Sequence, residues 1–112
     1  MAKYEKKIKG DFQKILSTLH NEILNSGFSM DLVDESNLNL NNVKVGVRVY
    51  DKYFMRNGNR ASLSLTVVSE DDNIIISAIG AGGGSGVLFN FSLGAESDMV
   101  YIVENCVNKM NL

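Results

Sequence analysis

Every second residue from Val43 to Val49 is valine, with Lys44, Gly46, Arg48 and Tyr50 in the alternate positions. Alternation this regular is the signature of a strand with two unlike faces. A second alternating run follows, Ala61, Leu63, Leu65 and Val67 against Ser62, Ser64, Thr66 and Val68. Between the two runs, Met55-Arg56-Asn57-Gly58-Asn59-Arg60 reads as a hairpin turn in which Asn-Gly supplies the positive-φ positions. A two-residue Asn57-Gly58 loop pairs Val49 with Thr66 and mixes the faces. A three-residue loop, Asn57-Gly58-Asn59, pairs Val49 with Val67 and keeps the apolar faces together. The alternative is a β-bulge near Asp51, which otherwise falls on the apolar face. Either way, the valine and leucine columns are expected on one side of a sheet.

The remaining segments extend that sheet and cover it. Ala2 to Lys9 reads as a lysine-rich edge strand, with Tyr4, Lys6 and Ile8 on one face. Gly10-Asp11 opens a helix with Asp11 as N-cap, and Phe12, Ile15, Leu16, Leu19 and Ile23 form one apolar stripe. Gly27 is expected to end it. Phe28, Met30 and Leu32 alternate as a short second strand, and the polar run from Asp34 to Asn42 reads as a connection with Leu38 and Leu40 turned inward. Glu70-Asp71-Asp72-Asn73 is a tight turn before a strand from Ile74 to Ile79. After the glycine run, Val87, Phe89, Phe91 and Leu93 read as a last strand. A final helix carries Ala95, Met99, Ile102, Val103, Cys106 and Met110 on one stripe. The expected fold is α+β, in the order β-α-β-β-β-β-β-α, with one antiparallel sheet packed on two helices.

A chain of 112 residues reads as a single domain over residues 1–112. Its hydrophobic fraction of 45% and charged fraction of 21% argue against disorder. The lone Cys106 cannot form an internal disulfide, and residues 1–7 show no signal-peptide pattern, so a cytoplasmic location is expected. No run approaches the ~20 apolar residues of a membrane span, so no membrane partner is expected. Charge is uneven: residues 1–14 hold five lysines against two acids, and residues 61–112 hold Lys109 against six acids. With a net charge of −2, the chain is not expected to bind nucleic acid generally.

None of the chemistry-bearing residues forms a catalytic pattern. The run Gly80-Ala81-Gly82-Gly83-Gly84-Ser85-Gly86 lacks the glycine spacing, the following lysine and the helix of a phosphate-cradling loop. It reads as a bulged strand connection, or else as a mobile, ligand-contacting loop at Gly82, Gly83, Gly84, Ser85 and Gly86. Ser85 would need a base, and the sole histidine, His20, lies between Leu19 and Ile23 on the first helix. Cys106 falls on an apolar stripe, and the acids Asp34-Glu35 and Asp71-Asp72 occupy loops and turns. No metal, cofactor or enzymatic activity is expected.

The least ordinary feature is the sheet face opposite the helices. With the valines facing inward, that face is expected to carry Arg48, Tyr50 and Lys52 beside Val68, Ile75 and Ile79. A surface both aliphatic and basic suits an interface or a ligand; scattered surface apolars are the competing reading.

The pieces Gly10-Asp11-Phe12, Val47-Arg48-Val49-Tyr50, Gly58-Asn59-Arg60-Ala61-Ser62-Leu63, Ser77-Ala78-Ile79 and the glycine run before Val87-Leu88-Phe89 extend over nearly the whole chain. In their order and spacing the chain resembles a domain-of-unknown-function family of small uncharacterised proteins from low-GC Gram-positive bacteria. The resemblance implies a free-standing bacterial domain and assigns no functional residue. The element order is also similar to helix-grip and TATA-binding-protein-like sheets, and many helix-grip proteins hold apolar ligands. Two functions are therefore carried forward. One is a non-enzymatic interaction module that forms a homo-oligomer through the open sheet face. The alternative is a small-molecule or lipid-binding protein with an apolar pocket between the sheet and the C-terminal helix, lined by Phe89, Phe91, Met99 and Val103.

Overall fold

A computed structural model describes residues 2–26, 30–54, 59–82 and 93–110. Its elements are β1 (Ala2–Lys9), α1 (Phe12–Leu24), β2 (Asp31–Leu40), β3 (Val43–Phe54), β4 (Asn59–Glu70), β5 (Asn73–Gly82) and α2 (Leu93–Lys109). The strands form one antiparallel sheet in the order β1-β5-β4-β3-β2, so β2 to β5 are a meander and β1 closes onto β5. The fold is α+β, as expected. The strand expected at 87–93 lies outside the described residues except for Leu93, which begins α2.

The helices form where the capping and apolar spacing place them. Asp11 caps α1 by accepting the Lys14 backbone N–H at 2.9 Å, and Ile15, Leu16, Leu19 and Ile23 are buried. The helix ends at Leu24 with Asn25 as cap, while Gly27 lies outside the described residues. On α2 the buried stripe is Met99, Val100, Val103, Cys106 and Val107. Both stripes pack on Leu63, Leu65, Val67, Ile74, Ile76 and Ala78, which leave one face of β4 and β5 almost unexposed to solvent. A fully buried leucine or isoleucine of this kind contributes about 1.5–3 kcal/mol.

Two hairpins turn on two residues each. The pairs Leu40–Val43 and Glu70–Asn73 bracket Asn41-Asn42 and Asp71-Asp72. Asn41 and Asp71 have φ of 55° and 56°, a conformation that asparagine and aspartate adopt with less strain than most residues. The Asn42 side-chain amide donates to Asp71 Oδ1 at 3.3 Å, tying the turns together.

Two expectations are corrected. The segment from Asp34 to Leu40, expected as a connection, belongs to the ten-residue strand β2, and all ten residues are exposed. Apolar alternation records one-sided burial, and an edge strand open on both faces has none to record. Leu38 and Leu40 do not turn inward; they are 56% and 72% exposed.

The second correction concerns β3. Val49 pairs with Ser64 and Tyr50 with Leu63, without a break in register along the ladder. Neither the three-residue loop nor the bulge near Asp51 occurs. The last pair is Phe54–Asn59, with 55–58 outside the described residues, and the irregularity falls instead on β2 between Leu32 and Asp34. This register puts the valines on the side away from the helices. What faces the helices is Gly46, Arg48 and Tyr50. A Cβ on Gly46 would stand 2.7 Å from Leu16 Cδ2, so the missing side chain lets α1 approach.

Candidate functional site

The register divides the six expected face residues into two groups. Arg48, Tyr50 and Lys52 lie opposite Leu65, Leu63 and Ala61 on the helix side. Tyr50 is wholly buried, and its hydroxyl lies 2.6 Å from His20 Nδ1. Burial pushes its phenol well above the ordinary tyrosine range; Arg48 opposes the shift and Glu35 adds to it. The Arg48 side chain is 11% exposed. Its Nε lies 3.2 Å from Glu35 Oε1, and its Nη1 donates to the Val47 carbonyl at 2.9 Å. On this side Tyr50 finds its polar partner on α1, and Arg48 finds its partners on β2 and its own strand, whereas the valines need none.

Val68, Ile75 and Ile79 do lie on the open side. The described residues place no helix there. Residues directly opposite across the ladders form rows that run the width of the sheet. One row is Lys7, Ile75, Val68, Val45 and Leu38, apolar on four adjacent strands. Another is Lys3, Ile79, Ser64, Val49 and Asp34. Between them runs a more polar row, Glu5, Ser77, Thr66, Val47 and Ser36, in which the Ser77 hydroxyl donates to Glu5 Oε2 at 3.1 Å. Ile75 is 44% and Ile79 40% exposed, while Val45, Val47, Val49 and Val68 are half-buried by their neighbours. Sequence reasoning missed the valine column and Leu38 as parts of this surface. The available signal was Gly46, because a glycine inside a strand marks a close approach and thereby the covered face.

The edges of this face carry opposite charges. Lys3, Lys7 and Lys9 project from β1, outnumbering Glu5, which accepts from Ser77, and Asp31 and Asp34 project from β2. Among the described residues, Lys3, Lys7, Asp31 and Asp34 form no ion pair. Asp51, on the same face, is paired with Arg60 at 3.1 Å, and the Arg60 guanidinium lies 5.5 Å from the centre of the Tyr53 ring.

The other candidates are less promising. Gly82 is exposed at the end of β5, and Gly83, Gly84, Ser85 and Gly86 lie outside the described residues. Cys106 is buried in the core, where burial foremost, and then Glu22, raises its thiol pKa against the pull of Lys109. Among the described residues no group of histidine, cysteine and carboxylate side chains is arranged to hold a metal ion. Of the expected pocket lining, Met99 and Val103 are fully buried in the core, and Phe89 and Phe91 lie outside the described residues. At Gly80 the sheet meets α2 so closely that a Cβ would stand 2.8 Å from the Glu96 carbonyl oxygen. Glu96 itself is a buried residue in the first turn of α2. No described helix is long and apolar enough to cross a membrane.

No curated protein matches the chain. Among solved structures, a match described as the crystal structure of TTHA0849 from Thermus thermophilus is 11% identical, covering 96% of this chain and 91% of that one. Its TM-score is 0.33, which carries no argument about either fold or function. A family profile does match, over residues 1–111, and by it the chain belongs to the Family of unknown function (DUF6054).

Proposed function

We propose that the domain is a non-enzymatic interaction module that self-associates by stacking its open sheet face against that of a second copy. The observation that carries this reading is the row Ile75, Val68, Val45 and Leu38, apolar on four adjacent strands and on the side where the described residues place no helix. Contiguous exposed apolar surface of this kind favours association, and two sheets stacking face to face bury it in the manner of a sandwich. The non-enzymatic reading rests on His20 being engaged by Tyr50 and Cys106 being buried. A pocket between sheet and α2 is less well supported, because the contact at Gly80 is filled. The same reading sets the protein in the cytoplasm of a low-GC Gram-positive bacterium, where a lone thiol stays reduced.

Sedimentation velocity over a concentration series tests the proposal. The protein is expected to sediment as a dimer, and Val68→Lys, which places a charge at the centre of the face, to sediment as a monomer. Tyr101→Lys, on an exposed part of α2, serves as the control that leaves the dimer intact. A wild-type protein that stays monomeric at the highest concentration overturns the reading.

A further inference from the structure

We infer that the two copies are related by a two-fold axis parallel to the strands and passing over β4, so that the basic β1 edge of each lies over the acidic β2 edge of the other. This inference rests on the stacked-face reading above and adds its geometry.

Two sheets whose strands stay roughly aligned can stack by two-fold symmetry in two ways, because the axis between them then runs either along or across the strands. An axis across the strands sets β1 on β1 and β2 on β2. Lysines then face lysines and aspartates face aspartates, which opposes association. An axis along the strands exchanges left and right. Because the order is β1-β5-β4-β3-β2, the central β4 then meets its own copy, β5 meets β3, and β1 meets β2.

The residue rows support the second arrangement. Exchange of left and right leaves each row facing itself in reverse. Ile75 then meets Val45, Ile79 meets Val49, and Val68 meets Val68 across the axis. At the edges Lys3 comes over Asp34, and the Lys7 stem comes over Leu38 with its ammonium free to reach the same aspartate. The usual angle of roughly −30° between stacked sheets shifts the edges by about one residue, within the reach of a lysine. Size is also adequate. Five strands spaced about 4.8 Å apart, over about eight residues of length, give a footprint of roughly 600 Å² per copy. Doubled, that reaches about 1,200 Å², the lower end of a stable specific interface.

Charge exchange tests the axis. The variants are Lys3→Glu with Lys7→Glu, and Asp31→Lys with Asp34→Lys, all at exposed positions. Each reversed edge is expected to weaken its own dimer about tenfold, since attraction becomes repulsion at two symmetric places. Mixing the two variants is expected to restore a heterodimer of wild-type affinity, because each then offers the charge that the other now needs. The fourfold variant is expected to recover the homodimer. Recovery on mixing also shows that both variants are folded. A wild-type dimer broken by Val68→Lys but indifferent to both reversals, or weakened by both without recovery on mixing, overturns the axis and leaves the self-association reading standing. A monomeric wild type overturns both.

Discussion

The Tyr50 hydroxyl lies 2.6 Å from His20 Nδ1, joining the covered face of β3 to α1 through a polar contact between two side chains. With the imidazole proton on Nε2 the phenol donates to Nδ1, and with it on Nδ1 the ring donates to the phenol oxygen. Tyr50→Phe removes the contact and leaves the packing nearly unchanged. A loss of about 1 kcal/mol in unfolding free energy is expected at neutral pH, measured by urea denaturation.

The same residue makes stability depend on alkaline pH. Burial holds the folded phenol above its ordinary value, whereas the unfolded chain ionises near pH 10. Its stabilisation is therefore fully present below about pH 10 and declines as pH rises from there toward the folded value. Urea midpoints at pH 8 and pH 10.5 are expected to fall more in the wild type than in Tyr50→Phe. Equal falls would remove Tyr50 as the cause.

Two glycines face the helices with different consequences. At Gly80 an added Cβ meets the Glu96 backbone oxygen at 2.8 Å, so α2 itself must move. At Gly46 it meets the methyl end of the Leu16 side chain and no backbone atom. Gly80→Ala is expected to destabilise the protein by about 2 kcal/mol. Gly46→Ala is expected to cost under about 1 kcal/mol, because the stiffer unfolded chain offsets part of the crowding. Thermal and urea unfolding of the pair would reveal the order, and a reversed order would refute this account of both contacts.

Cys106 is buried, and burial raises its thiol pKa. A disulfide reagent at pH 8 is expected to leave the native protein unmodified over minutes and to react at once in denaturant. Prompt reaction of the native protein would place the thiol at the surface.

Asp11 caps α1 through the Lys14 N–H. Asp11→Ala is expected to cost about 1 kcal/mol, with Asp11→Asn or Asp11→Ser recovering most of it. Helix content followed by circular dichroism during melting checks both.

The elements legible in the sequence were those whose burial is one-sided and whose phase is anchored. Asp11 and the stripe from Phe12 to Ile23 marked α1, and Leu63 to Val67 marked the covered face of β4. On β5, Ile75 and Ile79 alternate with the buried Ile74, Ile76 and Ala78 and lie on the open face. The phase of β3 is not legible, because alternation separates two faces without saying which is covered. Valines at every second position suggested a core, yet Gly46 and Tyr50 occupy the covered side. That one inversion carried Arg48, Tyr50 and Lys52 to the wrong surface. β2 was lost for the opposite reason, since a strand exposed on both faces leaves no periodic trace in its composition.

Closure of the sheet by β1 links assembly to folding. β2 to β5 pair with neighbours in sequence, whereas Ala2 must find Gly80 and Lys9 must find Asn73 across the intervening meander and helix. Such long-range pairing carries the largest loop-closure entropy, so the local hairpins are expected to form before it. On the two-fold reading, the lysines that complete the paired surface arrive on this last strand. A nascent or partly unfolded chain then lacks the basic edge and cannot dock, so association is reserved for molecules whose sheet has already closed.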